Sequence, residues 1–256
     1  SLYAVLILLL AIFSPFVGVL HYSDSQQELG YNDQLNLLSG NNSNQSLGWE
    51  WAISIGDYPT NRFMENIAID SFGNLIVTGF FEGTMILGNT TLISNGNSDV
   101  FVAKLTSDGV LVWVTSGGGS SLDKGTSVAI NNQNDIFITG WVEGNSSFGN
   151  HSGISEGGGA SMFVSKLSSD GDWLWVVKGE NEDLSSSFVY GYDIDVDDDG
   201  DAYVTGTFYL NVTFGNTELI GYGGNDLFVA KVSSNGTWVW ANNAGSTDGD
   251  TSRSIA

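Results

Sequence analysis

A fourteen-residue phrase recurs three times in this chain: VFVAKLTSDGVLVW at 100–113, MFVSKLSSDGDWLW at 162–175 and LFVAKVSSNGTWVW at 227–240. Each copy is an apolar run, a four-residue turn and a second run ending in Trp113, Trp175 or Trp240. Other markers keep the same period. Trp51, Trp113, Trp175 and Trp240 are almost evenly spaced, and Lys104, Lys166 and Lys231 follow the same intervals. Gly79, Gly140 and Gly206, each closing a V/I-T-G triplet, keep nearly the same step. Self-similarity at a fixed period marks a repeat architecture, in which each unit buries its apolar face only against its neighbours.

Within a period the order of elements is constant. A short strand comes first (67–70, 128–131, 194–197), then a tight turn and a second strand (75–79, 136–140, 202–206). A looser section carries a Phe/Leu-Gly mark at Leu87-Gly88, Phe148-Gly149 and Phe214-Gly215. The recurring phrase then supplies a third and a fourth strand. Alternation favours strands over helices: Phe228 and Ala230 fall on one face, Val229 and Lys231 on the other. Asp108-Gly109, Asp170-Gly171 and Asn235-Gly236 provide the positive φ angles of tight hairpins.

Four antiparallel strands per unit in meander order describe the blade of an all-β propeller. The expected blades are 66–114, 127–176 and 192–241, one to each interval between tryptophans, with lone strands at 49–53 and 252–256. A solenoid is the alternative, with repeats that are usually shorter. The pattern S-x-A-I-D-x-x-G-N-x-x-V-T-G, then D-x-F-V-A-K-L, then a Gly and a Trp, resembles the SBBP-type β-propeller repeat of bacterial and archaeal surface proteins. It is carried by 67–79 with 99–113 and by 226–240; the middle copy departs from it with Asn131, Asn134 and Ser161. The resemblance covers about 49–256. It implies a fold and a cell-surface setting, and it is poor in function. Three blades do not close a ring that typically needs about 4–8. The chain is therefore expected to be the N-terminal part of a longer propeller, with the 49–53 strand completing the last blade.

Residues 2–20 are almost continuously apolar and are expected to be a signal peptide or N-terminal membrane anchor (1–20), followed by a flexible Ser/Asn-rich spacer at 21–47 and the repeats at 48–256. Either form of leader sends the repeats across a membrane, to a secreted or cell-surface location. The chain has 29 acidic and 7 basic residues, a net charge of −22. Such a surface repels nucleic acid and anionic lipid, so membrane contact is expected only through the leader. The absence of Cys excludes disulfides and thiol chemistry and leans toward a prokaryotic secreted protein.

The strongest candidate site is the run from Asp193 to Asp201. Asp195, Asp197, Asp199 and Gly200 match the opening of a calcium loop, and Asp201 adds a fourth carboxylate; the twelfth position is Gly206 where an EF-hand has Glu. Asp197 and Gly200 also match Asp70 and Gly73 of the first repeat, so a solvated acidic turn is the competing reading. The recurring Lys104, Lys166 and Lys231 form either a ring of cations or, as their recurrence favours, one ion pair per blade. Seven of the eight Trp lie on fourth strands and read as blade packing before they read as a carbohydrate platform; Trp141 stands apart, as a loop residue. The two His, His21 and His151, join no catalytic pattern, and the glycine runs at 117–119 and 157–159 precede no helix. Seven Asn-x-Ser/Thr sequons, at Asn41, Asn44, Asn89, Asn145, Asn150, Asn211 and Asn235, fall in loops and turns. The expected role is binding, adhesion or structure at the cell surface, with a protein, glycan or cell-envelope ligand. The alternative is a secreted lyase, glycosidase or quinone-dependent enzyme whose site lies in blades beyond this chain.

Overall fold

A computed structural model describes residues 62–154, 159–181 and 187–256, together with two short strands, β1 (Ile7–Leu8) and β2 (Gly18–Val19). The chain divides into two units, Ser1–Ser54 and Ile55–Ala256. In the first, β1 and β2 pair antiparallel, with Ile7 opposite Val19. The rest of the expected leader, the 21–47 spacer and the strand expected at 49–53 lie outside the described residues. Among the described residues no helix is long and apolar enough to cross a membrane.

The second unit is all-β. Its first repeat holds β3 (Arg62–Ile69), β4 (Leu75–Phe81), β5 (Thr84–Leu87), β6 (Thr90–Ile93), β7 (Asp99–Leu105) and β8 (Leu111–Gly119). The second holds β9 (Asp123–Ile130), β10 (Ile136–Glu143), β11 (Ser146–Phe148), β12 (His151–Ser152), β13 (Ala160–Leu167) and β14 (Trp173–Lys178). Then come β15 (Glu180–Asn181), β16 (Phe188–Val196), β17 (Ala202–Tyr209), β18 (Val212–Phe214), β19 (Thr217–Leu219), β20 (Asp226–Val232) and β21 (Trp238–Ala244). Each repeat builds one antiparallel meander in chain order: β3-β4-β7-β8, β9-β10-β13-β14 and β16-β17-β20-β21. The four-stranded units expected from the sequence are therefore present, and the described strands do not close into a ring.

The section expected to be loose is a second hairpin in every repeat, and this corrects the sequence reading. In the second and third repeats it pairs backwards. β11 hydrogen-bonds to β8 of the preceding repeat, with Ser147 opposite Gly118. β18 pairs with β15, which resumes the line of β14 after Gly179. Strands of two to four residues with many polar side chains carry too little alternation to be recognised alone. The Phe/Leu-Gly mark is the hairpin's tip: Gly88, Gly149 and Gly215 turn at φ near +60° beneath Leu111, Trp173 and Trp238. Phe148 and Phe214 dip into the core against Phe163 and Phe228, with ring centroids 4.8 and 5.0 Å apart.

The V/I-T-G triplet also has a physical reading. The Thr78, Thr139 and Thr205 hydroxyls are buried and donate to the carbonyls of Phe101, Phe163 and Phe228 at 3.0, 2.8 and 2.7 Å. The glycine beside each lets a β-bulge of the first strand approach. A Cβ on Gly79, Gly140 or Gly206 would overlap the carbonyl oxygen of Phe63, Lys124 or Tyr190. The bulges fall at Glu65, Thr126 and Tyr192, so every first strand bends at the same place.

Successive sheets are joined by the fourth-strand tryptophans. The Trp113 indole N–H donates to the Ser169 carbonyl at 3.1 Å and Trp175 to that of Ser234 at 3.2 Å, each in the turn of the next repeat. The ring lies on a glycine there: a Cβ at Gly171 would come within 2.9 Å of Trp113, and one at Gly236 within 2.8 Å of Trp175. First strands are also tied across repeats. Asn66 donates to the Ser127 hydroxyl, which donates to Asp193 at 2.6 Å, and Ser254 donates to the other Asp193 oxygen at 2.8 Å. The residues expected as a fourth first strand, 252–256, lack strand pairing but occupy the matching place beside β16.

Gly171 has φ +89°, so Gly171→Ala combines left-handed backbone strain with a collision on Trp113. It is expected to cost about 2–3 kcal/mol, read as a fall in denaturation midpoint, while alanine at the open position Gly249 is near neutral.

Candidate functional site

The recurring lysines are ion-paired within their own repeats. Lys104 Nζ lies 2.9 Å from Asp70, Lys166 2.8 Å from Asp135, and Lys231 2.9 Å from Asp201 and 3.4 Å from Asp197. The acceptor moves between two positions of one turn. Asp70 and Asp197 open it; Asp135 and Asp201 close it. Where the middle repeat has Asn131 in place of the opening Asp, the closing residue is acidic and the ammonium still finds a carboxylate. The opening side chain also organises the turn, Asp70 Oδ1 accepting from the backbone N–H groups of Phe72 and Asn74 at 2.9 and 2.8 Å. Asn134, at the glycine position of the middle copy, takes the left-handed φ of +63° that Asn tolerates. Burial pushes the Asp70 carboxyl up, but hydrogen bonds from Asn74 and Lys104 outweigh it and hold its pKa below the ordinary value. The Asp70 side chain is 1% exposed and that of Lys104 11%. Lys104→Met strands a buried carboxylate and is expected to cost about 3 kcal/mol or more; adding Asp70→Asn should recover part of that loss in the same melting experiment.

This pairing takes up two of the four carboxylates considered for calcium. Asp197 and Asp201 face Lys231, whose ammonium pKa is raised by hydrogen bonds to Tyr203 and Asp201. Asp197 is lowered, first by the Asp201 backbone N–H. Asp199 is exposed, and Asp195 borders a shallow cavity of about 240 Å³ with Val196, Tyr203 and Ile255. Among the described residues no group of three or more His, Asp or Glu side chains is placed to hold a metal ion. The spacing of carboxylates along one segment did not reveal that their cation, Lys231, arrives from the third strand of the sheet.

Two features were not evident from the sequence. The first is a set of buried acids at the junctions between repeats: Asp99, Asp123 and Asp226 are 1%, 0% and 0% exposed. Asp99, at the start of β7, and Asp123, at the start of β9, approach each other around Gly118. Asp123 accepts from the Gly119 N–H at 2.6 Å, the Glu143 N–H at 3.1 Å and the Ser146 hydroxyl at 3.1 Å. Asp99 accepts only through Oδ2, from Asn95; its Oδ1 has no partner among the described residues. Burial raises both pKa values. That of Asp123 reaches about 6 from an ordinary 3.8, despite its three donors and with a further push from Asp99.

The second is an aromatic band on the first and second strands. Phe63 stacks on Phe80 at 4.7 Å. Lys124 Nζ lies 4.2 Å from the Phe80 ring centre and 5.5 Å from that of Trp141. Trp141 meets Tyr190 edge-on at 5.1 Å, and Tyr190 stacks on Phe188 at 4.7 Å and Tyr192 at 6.4 Å. Phe188 stacks on Tyr209 at 5.9 Å. Trp141 thus belongs to β10 and not to a loop. Phe63 is 38% exposed, and Lys124, Trp141, Phe188, Tyr190, Tyr192 and Tyr209 are half-buried. Burial raises the Tyr190 and Tyr192 phenols, so both stay protonated donors near neutrality. Glu143 lies close enough to Tyr190 to add to that rise, and its own carboxyl is pushed up by burial.

No protein-family model matches this chain, and no curated protein matches it. Among solved structures it is similar to a protein of unknown function from Bacteroides caccae, at 12% identity and a TM-score of 0.27, over 77% of this chain and 85% of that one.

The Asp123 titration has a definite sign. Its folded-state pKa is raised, so its stabilising contribution is complete below 3.8 and is lost as pH rises through about 6. In chelator-treated buffer the unfolding free energy is expected to fall by about 2–3 kcal/mol on this account as pH is raised from 3.8 to neutral. Asp123→Asn should flatten that part of the profile, measured by urea melts across the range.

Proposed function

We propose that this chain is part of a secreted or cell-surface β-propeller that binds carbohydrate through the aromatic band around Trp141 and Tyr190. The three four-stranded meanders in series, joined by tryptophans and backward hairpins, are what blades of a propeller require. The resemblance of the repeats to the SBBP type agrees with that setting. The observation that carries the binding reading is the band from Phe63 to Tyr209, in which Lys124 bridges Phe80 to Trp141 and every member but the buried Phe80 is partly exposed. Saccharides present apolar C–H faces to aromatic rings and hydroxyls to polar groups at their edges, and Tyr190, Tyr192, Lys124 and Glu143 supply those edges.

The band is also where the repeats differ. Lys124 and Trp141 face each other in β9 and β10; the matching pairs are Phe63 with Phe80 in the first repeat and Tyr190 with Thr207 in the third. The fourth-strand tryptophans, by contrast, recur in each copy and are engaged in packing. A platform that varies between copies while its scaffold stays constant fits a ligand site better than a structural one.

Immobilised polysaccharides, neutral and acidic, test this directly. The protein is expected to be retained on at least one of them, and Trp141→Ala and Tyr190→Ala should each weaken retention by about 10-fold or more, with melting temperatures little changed for these half-buried side chains. Retention on none of a broad panel, or undiminished retention of both variants, would remove carbohydrate binding as the function and leave a protein partner or a structural role.

A further inference from the structure

Asp99 and Asp226 each cap a turn through Oδ2, accepting from Asn95 and from the Tyr222 N–H respectively, but the turns and the packing leave their buried Oδ1 atoms without a role. Asp99 and Asp123 come from consecutive repeats and flank Gly118. A Cβ at that glycine would lie 2.9 Å from Asp99 Oδ1 and 2.7 Å from Asp123 Oδ2, so both oxygens border one point. Among the described residues no Lys, Arg or His pairs with either carboxylate. Lys124, the residue after Asp123, turns instead onto Phe80 and Trp141. Ionised carboxylates taken out of water without a counter-charge cost several kcal/mol each.

The same positions are acidic two junctions further along the chain, although there the second carboxylate, that of Asp250, is half-buried and accepts from the Ser246 hydroxyl at 3.0 Å. Asp226 replaces Asp99 and is also fully buried, with Oδ1 again unpartnered among the described residues and directed at Gly245. Asp250 replaces Asp123: its N–H donates to the Asn225 carbonyl as that of Asp123 does to Ser98. The junction between them departs from this at both positions together. Ser161 stands where Asp99 does, and Val189, opposite Phe208, stands where Asp123 stands opposite Val142. The two acids are thus both present or both absent. Carboxylates that served only as separate hydrogen-bond acceptors would have no reason to change as a pair.

We propose that each acidic junction binds one divalent cation, calcium by its chemistry, between Asp99 and Asp123 and between Asp226 and Asp250. The donors are all oxygen, which selects a hard cation. Calcium accepts irregular shells completed by backbone carbonyls and water, whereas magnesium demands a near-ideal octahedron. Two carboxylates neutralise it fully. The bound ion gives the unpartnered Asp99 and Asp226 oxygens the positive charge they lack, and it clamps the start of one repeat to the third strand of the repeat before it. The Asp195–Asp201 turn is a separate feature, in which Lys231 already pairs with Asp197 and Asp201.

The test uses the full chain, stripped with chelator and held at mildly alkaline pH and constant ionic strength. Millimolar calcium is expected to raise the melting temperature by about 5–10 °C, with magnesium and sodium far weaker, and calorimetric titration should count two ions per chain. Asp99→Ser with Asp123→Val copies the neutral middle junction, which the fold already accommodates; it should remove one ion, and further adding Asp226→Asn should remove the second. Asp195→Asn with Asp199→Asn should remove neither. The titration on the unmodified protein stands even if a variant fails to fold. Absence of calcium binding overturns the proposal, as does binding that survives the junction substitutions or is lost with the surface-turn pair. A protein that ignores calcium but gains stability on mild acidification shares a proton at these acids, which overturns it too.

Discussion

The contact on which the rest depends is an indole lying on a glycine of the next repeat. A four-stranded sheet leaves apolar surface on both faces and cannot be stable alone. Trp113 on Gly171 and Trp175 on Gly236 cover that surface, and each indole N–H is spent on a carbonyl of the turn it covers. The same glycine is needed twice over, once for its positive φ in the hairpin and once because a side chain would push the neighbouring sheet away. A single residue therefore sets both the turn within a repeat and the spacing between repeats. This explains why the Asp/Asn-Gly and the terminal Trp never drift relative to each other in the phrase that contains both.

Charge follows a looser rule than shape. The ammonium of the third strand keeps its position in all three repeats, while its carboxylate moves between the two ends of the neighbouring turn, from Asp70 to Asp135 to the Asp197 and Asp201 pair. What is retained is neutralisation of one point, and two turn positions reach it equally well. Asp99, Asp123 and Asp226 lie deeper, beyond the solvent that screens the charges near Lys231, and no lysine or arginine among the described residues reaches them.

Strand order, turn positions and the lysine pairing were legible because each leaves a local or periodic trace: alternating side chains, Asp/Asn-Gly, a Lys that returns once in every repeat. The backward hairpins were not, because β11 and β18 are three residues long and gain a second pairing partner only from a strand before them, β8 or β15. The acidic turn shows a related limit: closely spaced carboxylates look like a cation site along the chain, and the spacing gives no sign that two of them, Asp197 and Asp201, meet a lysine brought in by the fold. Trp141 was misplaced because it follows the V/I-T-G triplet, whose glycine reads as a strand end. The glycine is there for a bulge on the opposite strand, and β10 runs on to Glu143.

That bulge bears on where function lies in such a chain. A bulge inserts a residue that no cross-strand partner constrains. In this molecule the inserted residues are Glu65, Thr126 and Tyr192, three different chemistries at one structural position. The strand segment just before the bulge carries Phe63, Lys124 and Tyr190, which are equally diverse and feed the aromatic band. The constant parts of the repeat, Thr78 and its counterparts, the glycine beside each and the tryptophan beyond, lie on the other strands and bear the packing. Variation in the band falls on the strand whose geometry is locally relaxed and on the partner positions Phe80, Trp141 and Thr207, where a change of side chain does not disturb the joints between sheets. A repeat protein can diversify a surface in this way without re-deriving its core.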